Sequence, residues 1–248
     1  MRYSSLLFVF FYFSFPMPAQ IPETQAARNL IYEAYVSGNA ANWQRGVDRL
    51  NAWCGQHPDA LDWHYEWALA EYGLIGSRLA AGSESLGDAV KQLQSRVEGL
   101  LKRRSDWAEA HALLGGLYGM RVHLSPSTTL FYGPKSVKHI DRALALDPQC
   151  PVAWVEKGNT RYHAPAIFGG NIDKAVECYA QAVALYKPRP GGDWMQLYAL
   201  AWLGKAHAQS GTLKEALAAY REALRIAPGF RWVRDELLPA LEAQIRQN

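Results

Sequence analysis

Two stretches of this 248-residue chain gather the side chains that could do chemistry. The first, MRVHLSPSTTLFYGPKS, carries Arg121, His123, Phe131, Tyr132 and Lys135. The second, RYHAPAIFGGNID, carries Arg161, Tyr162, His163, Ile167 and Phe168. Ordered connections commonly carry specificity, and proline and glycine in them equally serve to hold a packing turn. Metal binding is a poor fit, because His123 and His163 supply two donors and no third ligand is recognisable. Ser125, Ser127 and Ser136 lie near these histidines in sequence but fix no nucleophile–base–orienter arrangement. No catalytic, cofactor-binding or metal-binding residue is therefore assigned, and no cofactor is expected.

Two short motifs within these stretches need their own reading. Gly133-Pro134-Lys135-Ser136 looks like the start of a helix that offers N–H groups and Lys135 to an anion. Pro134 removes one donor, and the glycine-rich lead-in of a phosphate loop is absent. In Phe168-Gly169-Gly170-Asn171, Phe168 can anchor a loop in the core and the glycines allow unusual dihedrals. Asn171 can then cap a helix that begins near Ile172. No strand precedes the glycine pair, so a dinucleotide loop is not indicated. Bracing is the preferred role for Gly169 and Gly170 and, by a narrower margin, for Phe168. Trp63 and Trp67, one helical turn apart, either pack in a core or line a groove.

The elements that position these residues follow from spacing. Glu23–Val36 reads as a helix, Ser37-Gly38-Asn39 as a break, and Trp43, Val47, Leu50 and Trp53 as the apolar stripe of a second helix ending before Pro58. Leu61–Ile75 and Leu86–Leu101 form a further pair around the turn Ala80–Ser85. Three later units share a register. Gly204 to Ala223 spans 19 positions, Gly158 to Ala182 spans 24 and Gly115 to Ala143 spans 28. Each final alanine is preceded at the same offsets by Ala216 and Tyr220, by Ala175 and Tyr179, or by Ser136 and Ile140. The two middle units are thus ordinary helical hairpins with extra residues between their helices. A terminal helix is expected around Arg231–Ile245.

This register resembles the tetratricopeptide-repeat family, most completely at Leu203-Gly204, Ala216, Tyr220, Ala223 and Pro228. The resemblance implies an all-α helical-hairpin solenoid of four or five hairpins with two extended interhelical loops. It also implies a concave surface that receives a protein or peptide. The competing architecture is a compact helical domain whose N-terminal half packs back across the later repeats. A narrower stretch, from AEAHALLGGLYGMRVHLSP to YHAPAIFGGNIDKAVECYAQAVALY, is similar to exported bacterial repeat proteins. Phe168-Gly169-Gly170-Asn171 with Lys174-Ala175 also resembles the periplasmic T-component proteins of TRAP transporters, which implies handling of an apolar small ligand.

Composition sets the remaining limits. With 49% apolar and 20% charged residues the chain is built to fold. Its net charge of +3 shows no basic tract or aromatic–basic ladder, so no nucleic-acid partner is expected. Residues 1–19, with Arg2 before the apolar run Leu6–Phe13, read as a signal peptide, and 20–248 as the repeat domain. Export, to a bacterial periplasm by the narrower resemblance, is the expected location, with no stable membrane span after cleavage. Cys54, Cys150 and Cys178 read as buried apolar residues, although the compartment would permit a Cys150–Cys178 bridge. The favoured function is a non-catalytic exported scaffold. A periplasmic ligand-handling accessory is second, and an enzyme using the concave surface third. Oligomeric state is not legible.

Overall fold

The computed structural model describes residues 22–83, 85–187 and 192–247. The expected signal peptide lies outside them. The described residues form five antiparallel hairpins: α1 Glu23–Ser37 with α2 Ala40–Gln56, α3 Leu61–Ala80 with α4 Gly87–Arg103, and α5 Ala108–Leu124 with α6 Thr129–Leu146. Then come α7 Pro151–His163 with α8 Ile172–Leu185, α9 Trp194–Gln209 with α10 Leu213–Ile226, and a terminal helix, α11 Leu238–Gln247.

Each hairpin closes for a local reason. Gly38 ends α1 in the left-handed conformation at φ 69°, and the Asn39 side chain caps α2 by accepting from the Asn42 N–H. Within the later hairpins the glycine of the first helix faces the large residue of the second. A Cβ on Gly158 would stand 2.7 Å from the Tyr179 ring, and one on Gly115 would stand 2.6 Å from Ile140. Gly204 meets Tyr220 in the same way. The shared register is therefore a packing contact, with Ala143, Ala175, Ala182, Ala216 and Ala223 all buried beside it. Burying each Leu or Val side chain that fills these seams contributes about 1.5–3 kcal/mol.

The solenoid closes on itself. Tyr35 of α1 packs edge-on to Trp194 of α9 at 5.6 Å and against Phe230 at 5.1 Å, while Trp43 of α2 meets Trp194 at 5.2 Å. The structure is the stacked-hairpin solenoid; of the compact alternative weighed from sequence it shows only the first hairpin touching α9 and Phe230. The first helices of the hairpins fill the inside of the resulting ring. Every α5 residue from Ala112 to Tyr118 is buried, which a helix lining an open groove could not achieve. Tyr72 of α3 reaches Glu156 of α7 across this interior, its hydroxyl donating to Oε2 at 3.0 Å. The expected open concave surface is thus occupied by core side chains.

Two further expectations change. Gly133-Pro134-Lys135-Ser136 does not begin a helix but lies inside α6. The extra residues of the third hairpin are wound into helix on either side of a 3-10 turn, Pro126–Thr128. Pro134 lacks an N–H for the carbonyl of Leu130, and the strong exposure of Leu130 leaves that side open to solvent. All three cysteines are buried and unpaired, so no Cys150–Cys178 bridge forms. No described helix is long and apolar enough to cross a membrane.

Candidate recognition surface

The tips of the third and fourth hairpins carry what the packed interior leaves outside. Leu130 is 80% exposed and Ile167 84%, Phe131 and Phe168 are also exposed, and Val137 is exposed two turns further along α6. Among the described residues, these five stand with Ile245 as the exposed large apolar side chains. Exposed apolar side chains gathered on neighbouring tips mark an interaction surface more than scattered ones do. The two tips are neighbours, because α5 of the third hairpin packs directly against α7 of the fourth.

Each tip is internally braced. In the third, Thr128 Oγ1 donates to the Ser125 carbonyl at 2.7 Å and Thr129 Oγ1 to that of Pro126 at 2.6 Å. The Arg121 guanidinium lies 4.2 Å from the centre of the Tyr132 ring and donates to Gln94. Lys135, one turn from Phe131 on α6, places its ammonium 3.7 Å from that ring. In the fourth, Ala166–Phe168 makes a 3-10 turn that ends at Gly169 in the left-handed conformation, φ 88°. Arg161 donates to the Gly169 carbonyl at 2.6 Å, and the Asn171 N–H returns to the Arg161 carbonyl at 2.8 Å. Asn171 Oδ1 accepts from the Lys174 N–H at 2.9 Å, which is the expected cap of α8.

The glycine pair braces the fold as expected, by two different means. Gly169 has the positive φ; Gly170 is needed because a Cβ there would run into the Ala164 carbonyl. Phe168 does not serve as the core anchor expected of it, since it is 49% exposed on the turn. No acidic residue occurs between Glu109 and Asp141, or between Glu156 and Asp173. The cations Arg121, Lys135 and Arg161 therefore have no carboxylate from their own segments.

Trp63 and Trp67 sit elsewhere, in the packing of the first two hairpins. Arg28 covers the Trp63 ring at 4.6 Å, and Arg96, itself paired with Glu71, covers Trp67 at 3.5 Å. Among the described residues, no group of three or more metal-ligating side chains forms around His123 and His163 or anywhere else. His163 is held edge-on to Tyr162 and Trp202, and loss of solvent around it together with the Lys205 charge lowers its pKa to about 4.

Sequence reasoning missed two sites. Glu156 is 2% exposed, and its Oε1 has no hydrogen-bond partner. Burial raises its pKa to about 7, against donors from Asn159 and Tyr72 that pull it down. The signal was available, because the residues two before the register glycines in the neighbouring hairpins are Leu113 and Trp202. The second is a cleft of about 310 Å3 beside Lys205 and the terminal helix.

Residues 168–228 match the family model of the tetratricopeptide repeat. No curated protein matches the chain. Among solved structures, the chain is similar to TTC0263, a thermophilic protein of the same repeat class from Thermus thermophilus, at 19% identity. That match has a TM-score of 0.57 and covers 90% of this chain and 97% of that one. It is also similar to the HusA haemophore from Porphyromonas gingivalis, at 19% identity and a TM-score of 0.58, over 78% of this chain and 96% of that one. At these identities the likeness is one of fold: the chain has an all-α, tetratricopeptide-like hairpin architecture.

Proposed function

We propose that the protein is a non-catalytic scaffold, exported to a bacterial periplasm, that recognises a protein or peptide through the tips of its third and fourth hairpins. One observation carries the reading: four exposed large apolar side chains, Leu130, Phe131, Ile167 and Phe168, lie on two adjacent, internally braced tips while the inner face is filled. The repeat fold supports protein binding in general, and the signal-like run Leu6–Phe13 supports export. Recognition moves from the concave face to the tips because closure of the ring leaves the first helices of the hairpins no free stripe. The test is co-purification from the native envelope with wild type and a joint Phe131→Ser/Phe168→Ser variant. Loss of one reproducible partner, with helical circular dichroism unchanged, is the expected result. An unchanged partner set would remove the tips from recognition.

A second reading, a transport accessory that handles a small apolar ligand, is favoured by the cleft beside Lys205. A haemophore is among the solved structures with this fold. The short similarity to TRAP T-component proteins at Phe168–Asn171 points the same way. Nothing in the geometry favours an enzyme on the inner face, where core side chains occupy the space an active site would need.

A further inference from the structure

The cleft beside Lys205 lies where α9 and α10 meet the terminal helix, with Tyr162 from the end of α7 on one side. Its volume, about 310 Å3, falls at the small end of small-molecule sites, which run from about 300 to 1,000 Å3. Tyr220, Leu237 and Leu241 supply apolar wall, and Gln209 and Gln244 supply amides. The wall contributed by Leu237 follows a π-helical turn, Val233–Leu237, in which the Leu238 N–H reaches back to the Val233 carbonyl. Pro239 follows directly and has no N–H with which to resume the α-helical ladder. Turns of this kind recur at functional sites.

Lys205 is the unusual occupant. Its ammonium faces three rings, Trp202 at 4.0 Å, Trp232 at 5.6 Å and Tyr162 at 6.0 Å. Loss of solvent lowers its pKa, and no carboxylate among the described residues pairs with it. Its charge also contributes to holding His163 neutral. A cation taken half out of water normally has a partner anion, since unpaired burial is costly. Aromatic faces offset part of that cost and leave the ammonium available to an incoming charge.

We infer that this cleft binds a small organic carboxylate, the carboxylate on Lys205 and an apolar body against Tyr220, Leu237 and Leu241. This rests on the small-ligand reading and gives it a place and a chemical class; it is independent of partner recognition at the tips. The cleft's size favours a free small molecule over a peptide terminus.

Titration with decanoate, followed by tryptophan fluorescence, tests the inference, with decanol as the uncharged control. Decanoate is expected to saturate, with decanol and the Lys205→Gln variant each about tenfold weaker or worse, as expected for loss of a charged hydrogen bond. Ala240→Trp, which fills the cleft from an exposed position, should abolish binding of both. A second readout is the His163 imidazole by NMR: a bound carboxylate that neutralises Lys205 should raise its pKa. Equal affinity for decanoate and decanol would overturn the carboxylate inference while leaving a small-ligand site standing. Binding unaffected by Ala240→Trp would overturn the location, and no saturable binding of either probe would overturn the small-ligand reading as well. Tighter binding of a leucine-terminated peptide than of decanoate would overturn the choice of a free small molecule.

Discussion

Replacing Glu156 by glutamine should make the protein more stable, and increasingly so as the pH rises. The carboxyl is enclosed by Tyr72 of α3, Gly116 of α5 and Asn159 of its own helix, with Tyr179 and Tyr198 bonded to the same Asn159 amide. No cation is among these neighbours, and burial raises its pKa to about 7 from an ordinary 4.5. Below about pH 4.5 the carboxyl is protonated in both folded and unfolded chains. Between that point and 7 the unfolded chain releases the proton while the folded chain retains it, so stability falls as pH rises. At about 1.4 kcal/mol per tenfold, the full interval is worth about 3 kcal/mol. A glutamine carries no charge to desolvate, its oxygen can still accept from Tyr72 and Asn159, and its amide takes the place of the unpartnered oxygen. Denaturant unfolding of wild type and Glu156→Gln at intervals from pH 4.5 to 8.5 measures the difference. His139 and His163, both depressed to about 4 with burial the largest cause, bend the individual curves the other way but cancel in that difference. The gap should open toward about 3 kcal/mol and level off above 7. A gap that does not change with pH would refute the assignment of a buried, unpaired carboxylate.

Other outcomes follow from the same geometry. Phe168→Ala, at a half-exposed side chain, should lower stability by less than about 1 kcal/mol in denaturant unfolding, well below the 3–5 kcal/mol of a buried phenylalanine, while weakening partner binding. Gly170→Ala should destabilise by about 1–3 kcal/mol through collision with the Ala164 carbonyl, read from the same unfolding curves. Burial raises the Cys54 thiol to about 11 and Cys150 to about 12, so Ellman's reagent at pH 8 should label both slowly in the native protein and rapidly once it is denatured.

The hairpins were legible because their signal is local and repeated. Gly115 with Ile140, Gly158 with Tyr179 and Gly204 with Tyr220 are packing partners, and the spacing alone pairs them. The Asn171 cap was legible for the same reason. Ring closure was not, because Tyr35, Trp194 and Phe230 are far apart in sequence and no period relates them. Their meeting fills the inner face, and this moves the candidate site from a groove to the hairpin tips. Pro134 misled in a different way: a proline ordinarily signals a helix start or break, yet it is accommodated where the opposing Leu130 turn faces solvent. Glu156 was not singled out in the sequence, although the same register position in neighbouring hairpins holds Leu113 and Trp202. The Lys205 cleft depends on the terminal helix folding back over α9 and α10, a long-range contact that composition does not encode.

The most direct test of recognition by the tips is site-specific photo-crosslinking in the native envelope. One photoreactive residue replaces Ile167 on the fourth tip, and in a second protein one replaces Gln181, exposed on the outer helix of the same hairpin. Crosslinking from position 167 to one protein, absent at 181 and lost on adding Phe131→Ser, is the predicted result. Crosslinking from 181 with none at 167 would contradict the account.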